Sequence, residues 1–183
     1  TISDPVSELE TEEKIDTQID WEYTAALISQ RNDPRIELCQ SFNRNLKSRL
    51  PDPVTRHELV KHIAAFLNTA GGQILIGVSK SGYVTGLFDD DFQTERHYRD
   101  QITKEVKSAL GREALNCITI EFIRWGSEDI CMVTCKRNSE KVLCCHKKYN
   151  ERIDRPGKDL IYYLRVNGSS EEVNVDQEHR LSS

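Results

Sequence analysis

Apolar side chains recur at helical spacing through Leu59, Ile63, Phe66 and Leu67, while Arg56, Lys61 and His62 fall on the other side. This pattern predicts an amphipathic helix. Thr55 followed by Glu58 forms a capping box at its start, and Pro51 and Pro53 keep the chain before it extended. Asn68-Thr69 and Gly71-Gly72 stop it, because glycine tolerates the left-handed conformation of a helix C-terminus. Gln73 to Val78 is a short, mostly apolar run and reads as a buried strand. Ser79 to Gly82 turns the chain, and Tyr83 to Leu87 returns as the partner strand. Upstream, Arg35 to Phe42 alternates Ile36, Leu38 and Phe42 with Glu37, Cys39 and Ser41, the period of a strand.

The flanking pattern is less regular. Residues 1–22 are acidic and poor in apolar side chains, which predicts a disordered lead or docking arm. Trp21, Tyr23, Leu27 and Ile28 then predict a short helix packed on the body. Asn43 to Asp52 is a loop carrying Arg44, Lys47 and Arg49. Asp89-Asp90-Asp91 opens a second main helix, with Ile102, Val106 and Leu110 on one face and Gly111 at its end. A cation site at the three aspartates is the weaker alternative. Period-two segments follow at Cys117–Arg124, Ile130–Lys136, Val142–His146 and Leu160–Val166, before a turn at Asn167–Ser170 and a polar tail. Two main helices among largely antiparallel strands predict one α+β domain over 23–170, with an arm at 1–22 and a tail at 171–183.

Charge changes this picture more than composition does. The chain carries a net charge of −5, but residues 1–22 hold eight acids and one lysine, so 23–183 is mildly basic at +2. Between Lys136 and Arg165 nine basic residues face four acids, with Tyr149, Tyr162 and Tyr163 interleaved. Such a segment suits phosphate contacts with stacking nearby, although a solvated charged face has the same composition. No apolar run approaches the roughly 20 residues of a membrane helix. Six cysteines, two of them adjacent at Cys144-Cys145, and no leading signal pattern predict a reducing intracellular, cytoplasmic setting.

The stretch "AFLNTAGGQILIGV", a short polar turn and "GYVTGL" resembles the signature of the AlbA-type domain of Schlafen and Schlafen-like proteins. "KVLCC" and "YYLRVNGSS" extend the resemblance over about Arg35 to Ser170. It implies a nucleic-acid-binding lobe. In this family two lobes form a core that can cleave structured RNA, and related chains assemble into small-RNA-processing endonucleases. The family's nuclease site needs three carboxylates to hold Mg²⁺ or Mn²⁺. On this chain the resemblance places one acid at Glu37, with Asp33 near the second position and Ser79-Lys80 at the third. The chain therefore resembles a degenerate lobe that would pair with a second copy of itself or, by preference, with a related chain, and would complete a Mg²⁺ or Mn²⁺ site only with such a partner. An active site regrouped from Asp33 and Glu37 is the alternative, and a DNA- or RNA-binding regulator or an interaction scaffold is another.

The resemblance also implies a structural zinc. Cys117, Cys144 and Cys145 match its ligands, Leu115 stands where a histidine belongs, and Cys135 or His146 would complete a tetrahedral set. The same cysteines also fit small buried hydrophobes on strands. The RNA-contacting candidates are Arg44, Lys47, Arg49, Lys136, Arg137, Lys141, Lys147, Lys148, Arg152, Arg155 and Arg165. His57 and His62, five apart on the helix, read as ordinary surface or helix-end residues.

Overall fold

The central helix α2 (Pro53–Leu67) is buried on most of its circumference, which the simple amphipathic pattern does not anticipate. Leu59, Ile63, Phe66 and Leu67 enter one apolar cluster, whereas Val60, Ala64 and Ala65 enter another with Cys144 and Tyr163. The reason lies in the layers. In the computed structural model, which describes residues 12–146 and 159–173, α2 is packed by one sheet on each side.

The first sheet has the order β1 (Ile36–Cys39), β2 (Gly72–Ile76), β4 (Glu128–Cys135), β3 (Ile118–Trp125). β1 and β2 run parallel, joined by the crossover through α2, and the other pairs are antiparallel. β2 reads as continuously apolar because both its faces are covered. Ile74 and Ile76 face the α2 cluster, while Leu75 faces a second cluster with Leu27, Leu38 and Met132. The second sheet is β5 (Leu143–His146), β6 (Asp159–Val166), β7 (Ser169–Glu172), all antiparallel. Helix α3 (Glu95–Leu110) packs on α2 and β5. The fold is α+β, as the sequence pattern predicts.

Several boundaries differ from the sequence-based expectation. Helix α1 spans Glu12–Ser29, so a third helix occupies half of the stretch expected to be a disordered arm. Trp21 stacks on Trp125 with centroids 5.2 Å apart, and Leu27 is buried against the sheet. The cap of α2 is Asp52, not Thr55. Its carboxylate accepts from the Val54 N–H at 3.0 Å and from the Thr55 hydroxyl, with Pro53 in the first turn, where a missing N–H costs nothing. The return strand after β2 shrinks to a single bridge, Val78↔Val84, because Gly77 at φ +90° and Gly86 at φ +74° bend the chain away.

The three aspartates do not open α3. They form a 3-10 turn at Phe88–Asp90, and α3 starts four residues later under a Thr94 cap. The polar tail begins instead as β7. Asn167 and Gly168 both take positive φ, the two-residue turn that matches strand twist, and Val166 pairs with Ser169.

Candidate functional site

β1 sets the site by alternation. Ile36 and Leu38 pack on the α1 side, so Glu37 and Cys39 project towards α2. A carboxylate there is 6% exposed and must be compensated. Three cations or bases converge on it from three elements. Arg165 on β6 reaches Oε2 with Nη1 at 2.8 Å, His62 on α2 places Nδ1 3.7 Å from the same oxygen, and Lys80, in the turn after β2, pairs with Oε1.

Arg165 is fixed more tightly than any other residue of the cluster. Its guanidinium carbon lies 4.6 Å from the Phe66 ring centroid, Nε donates to the Pro34 carbonyl at 3.1 Å, and its own N–H donates to Thr69 Oγ1. Nη1 also donates to Ser170 Oγ at 3.0 Å, which leaves the hydroxyl proton for His62 Nδ1 2.8 Å away. The neutral ring therefore carries its own proton on Nε2. Since the Arg165 side chain is only 5% exposed, the expectation that it contacts RNA phosphates is corrected: it is an internal counter-ion that ties the second sheet to β1.

Burial shapes the protonation states. It pushes His62 down to about 4, with Arg165 and Lys80 adding to the effect, so the ring is neutral at pH 7. Burial alone would raise Glu37, but His62, Lys80 and Arg165 outweigh it and hold the carboxyl below its ordinary value. Burial and the adjacent Glu37 push the Cys39 thiol up to about 12.

Glu37, Cys39 and His62 form the sole trio of metal-ligating side chains among the described residues whose ligand atoms all lie within 4.8 Å of one another. The set does not fit Mg²⁺ or Mn²⁺. Those ions need several oxygen ligands, and this trio offers one carboxylate that Lys80 and Arg165 already neutralise. Asp33 does not join it. Its carboxylate pairs with Arg35 at 3.0 Å and lines a different cavity, beside Tyr23 and Gly72.

The cysteine set implied for zinc is divided. Cys117 and Cys135 pack in the main cluster, and Cys144 packs with Val60 and Ala64, while the side chain of His146 lies outside the described residues. The expectation that His57 and His62 are ordinary surface or helix-end residues is corrected: His57 is buried, and His62 is largely buried against Glu37 because both sides of α2 are covered. A signal existed in Val60, Ala64 and Ala65: an α2 apolar on its second side leaves its polar residues facing other elements.

A cavity of about 470 Å³ opens beside this cluster, lined by Cys39, His62, Lys80, Arg44, Lys47 and Leu59 among others. The remaining basic candidates fare unevenly. Arg44 and Arg49 pair with Asp91 at 3.2 Å and Asp89 at 2.7 Å. Lys47, Lys136 and Arg137 are exposed, and the Lys141 ammonium sits 4.5 Å from the Tyr162 ring centroid. Lys147, Lys148, Arg152 and Arg155 lie outside the described residues. No described helix is long and apolar enough to cross a membrane.

Residues 32–174 match the family model described as Schlafen, AlbA_2. No curated protein matches the chain. The crystal structure of the DIP2311 protein from Corynebacterium diphtheriae is similar, with a TM-score of 0.54 at 13% identity over 89% of this chain and 31% of that one. The chain thus spans about a third of that protein's length, and at this identity the likeness shows the fold alone.

Proposed function

The chain belongs to the Schlafen AlbA_2 family, and from that premise we propose that it is an RNA-binding lobe whose own metal centre is closed. It would act as the non-catalytic subunit of a multi-chain, metal-dependent endoribonuclease, paired with a related chain that supplies the missing carboxylates. The observation carrying this reading is the capture of Glu37 by Lys80 and Arg165. A lone carboxylate neutralised twice offers a divalent ion neither the charge nor the oxygen count it needs. Lysine in the turn after β2 supplies a fixed positive charge that repels such an ion. Exposed Lys47, Lys136 and Arg137 are available for phosphate contacts.

The test incubates labelled structured RNA and Mn²⁺ with the chain alone and with a carboxylate-complete Schlafen-like partner. Binding that weakens steeply with salt, and cleavage confined to the mixture, is the expected result. Cleavage by the chain alone that disappears in Glu37→Ala would overturn it.

A further inference from the structure

We propose that the cavity beside Glu37 is a phosphate-binding subsite, in which the Lys80 ammonium, supported by Lys47 and Arg44, receives an RNA phosphate where a metal-dependent relative would present a cation. This rests on the RNA-binding reading above and deepens it. Lys80 is unusual in being anchored and available at once. Its ammonium pairs with Glu37 Oε1, yet its side chain is 74% exposed. An ammonium has three N–H donors, so one bond to Glu37 leaves two for an incoming oxygen. The pairing spares it part of the entropy that a free lysine loses on binding.

The surroundings match. Arg44 and Lys47 line the same cavity, and Arg44 Nε is buried with no hydrogen-bond partner. The acidic lining residue, Glu58, is already paired with Lys61 at 3.2 Å. Leu38, Leu46 and Leu59 give the cavity an apolar wall on which a ribose or base edge can rest. At about 470 Å³ it has room for a single nucleotide.

Fluorescence anisotropy of a labelled single-stranded RNA across a potassium chloride series tests this with the full chain. Lys80→Met weakens binding about three- to tenfold and lowers the salt slope by about 0.7, the increment of one single-strand phosphate contact. Lys80→Arg restores most of the loss. Lys104→Met, which removes the same charge from an exposed position of α3 outside the cavity, changes affinity less than about twofold. An equal loss on 5′-phosphorylated and 5′-hydroxyl RNAs assigns an internal phosphodiester, whereas a loss confined to the former assigns a terminal monoester. A Lys80→Met protein that binds like Lys104→Met overturns the subsite while leaving the RNA-binding reading intact. Failure of the unaltered chain to bind RNA overturns both.

Discussion

Two buried carboxylates of this chain are satisfied in opposite ways. Asp90, 1% exposed, sits in the turn before α3 and is met by neutral donors. The N–H groups of Phe42 and Asn43 donate to it at 3.0 and 2.9 Å, and the hydroxyls of Ser41 and Tyr98 complete the set. Asn43 Nδ2 also donates to its carbonyl at 3.0 Å. Glu37 is met by charges instead, from the turn after β2 and from β6, and its partners Lys80 and His62 line a cavity. A carboxylate surrounded by fixed neutral dipoles locks a loop and leaves nothing over for a ligand. One surrounded by cations at a cavity wall keeps a charged surface for one. The Asp90 network is architecture, and the Glu37 cluster is where binding should be sought.

The comparison breaks first at Asp90. Asp90→Ala strands two backbone N–H groups and two hydroxyls between β1 and α3, and is expected to cost about 4 kcal/mol of stability, with RNA affinity of the folded fraction unchanged. Urea unfolding measures the first and anisotropy the second. A loss below about 1 kcal/mol would make the network decorative. Arg165→Met comes next. It keeps the aliphatic stem against Phe66 but leaves Glu37 without its inner partner, at a cost of about 3 kcal/mol. Adding Glu37→Gln should recover at least about 1 kcal/mol of that, since the double variant no longer buries an unpaired charge. Strict additivity would show that Arg165 acts through packing alone.

Acid sharpens the same contrast. His62 is held at about 4 in the fold against 6.5 in the unfolded chain, so between those values the unfolded state takes up a proton that the folded state refuses. Stability is therefore complete above pH 6.5 and falls as pH drops towards 4, by about 3 kcal/mol. The lowered Glu37 carboxyl adds to the loss below its ordinary value of 4.5. Chemical denaturation at stepped pH should show the slope, and His62→Asn should flatten its upper part. An identical slope in that variant would assign the acid sensitivity elsewhere.

Legibility from sequence follows range of interaction. α2 and the four core strands were readable because period and local turn chemistry declare them. The end of α1 was readable from Trp21, Tyr23, Leu27 and Ile28, which pack on the sheet, but its first turns were not, since their acidic sequence carries no apolar stripe. The β7 strand was hidden behind an Asn167-Gly168 turn whose own signal was a hairpin. Asp90 is held by Ser41, Phe42 and Asn43, 47 to 49 positions away, His62 meets Ser170 108 positions away and Arg165 meets Pro34 131 positions away, and no spacing rule reaches such partners. Arg165 shows this most plainly: its place in a basic segment suggested a surface contact, and the fold buried it.

The smallest expected change in stability, and the most informative one, lies at Lys80. Its side chain is 74% exposed, so Lys80→Asp should alter unfolding by no more than about 1 kcal/mol. Electrostatically the exchange is large. A positive charge beside Glu37 Oε1 becomes a negative one in the turn after β2. For a divalent ion in the cavity the swing in interaction is several kcal/mol before screening. Mn²⁺ binding, followed by calorimetry or by loss of the free-ion electron paramagnetic resonance signal, should tighten at least tenfold over the unaltered chain. Without Mn²⁺ RNA affinity should fall, because the ammonium that receives the phosphate is gone, and added Mn²⁺ should recover part of it. If Mn²⁺ binds Lys80→Asp no better than Lys80→Met, the site is closed by Arg165, whose guanidinium stays 2.8 Å from Oε2 in both. Degeneracy would then be built into β6 rather than into one exposed turn.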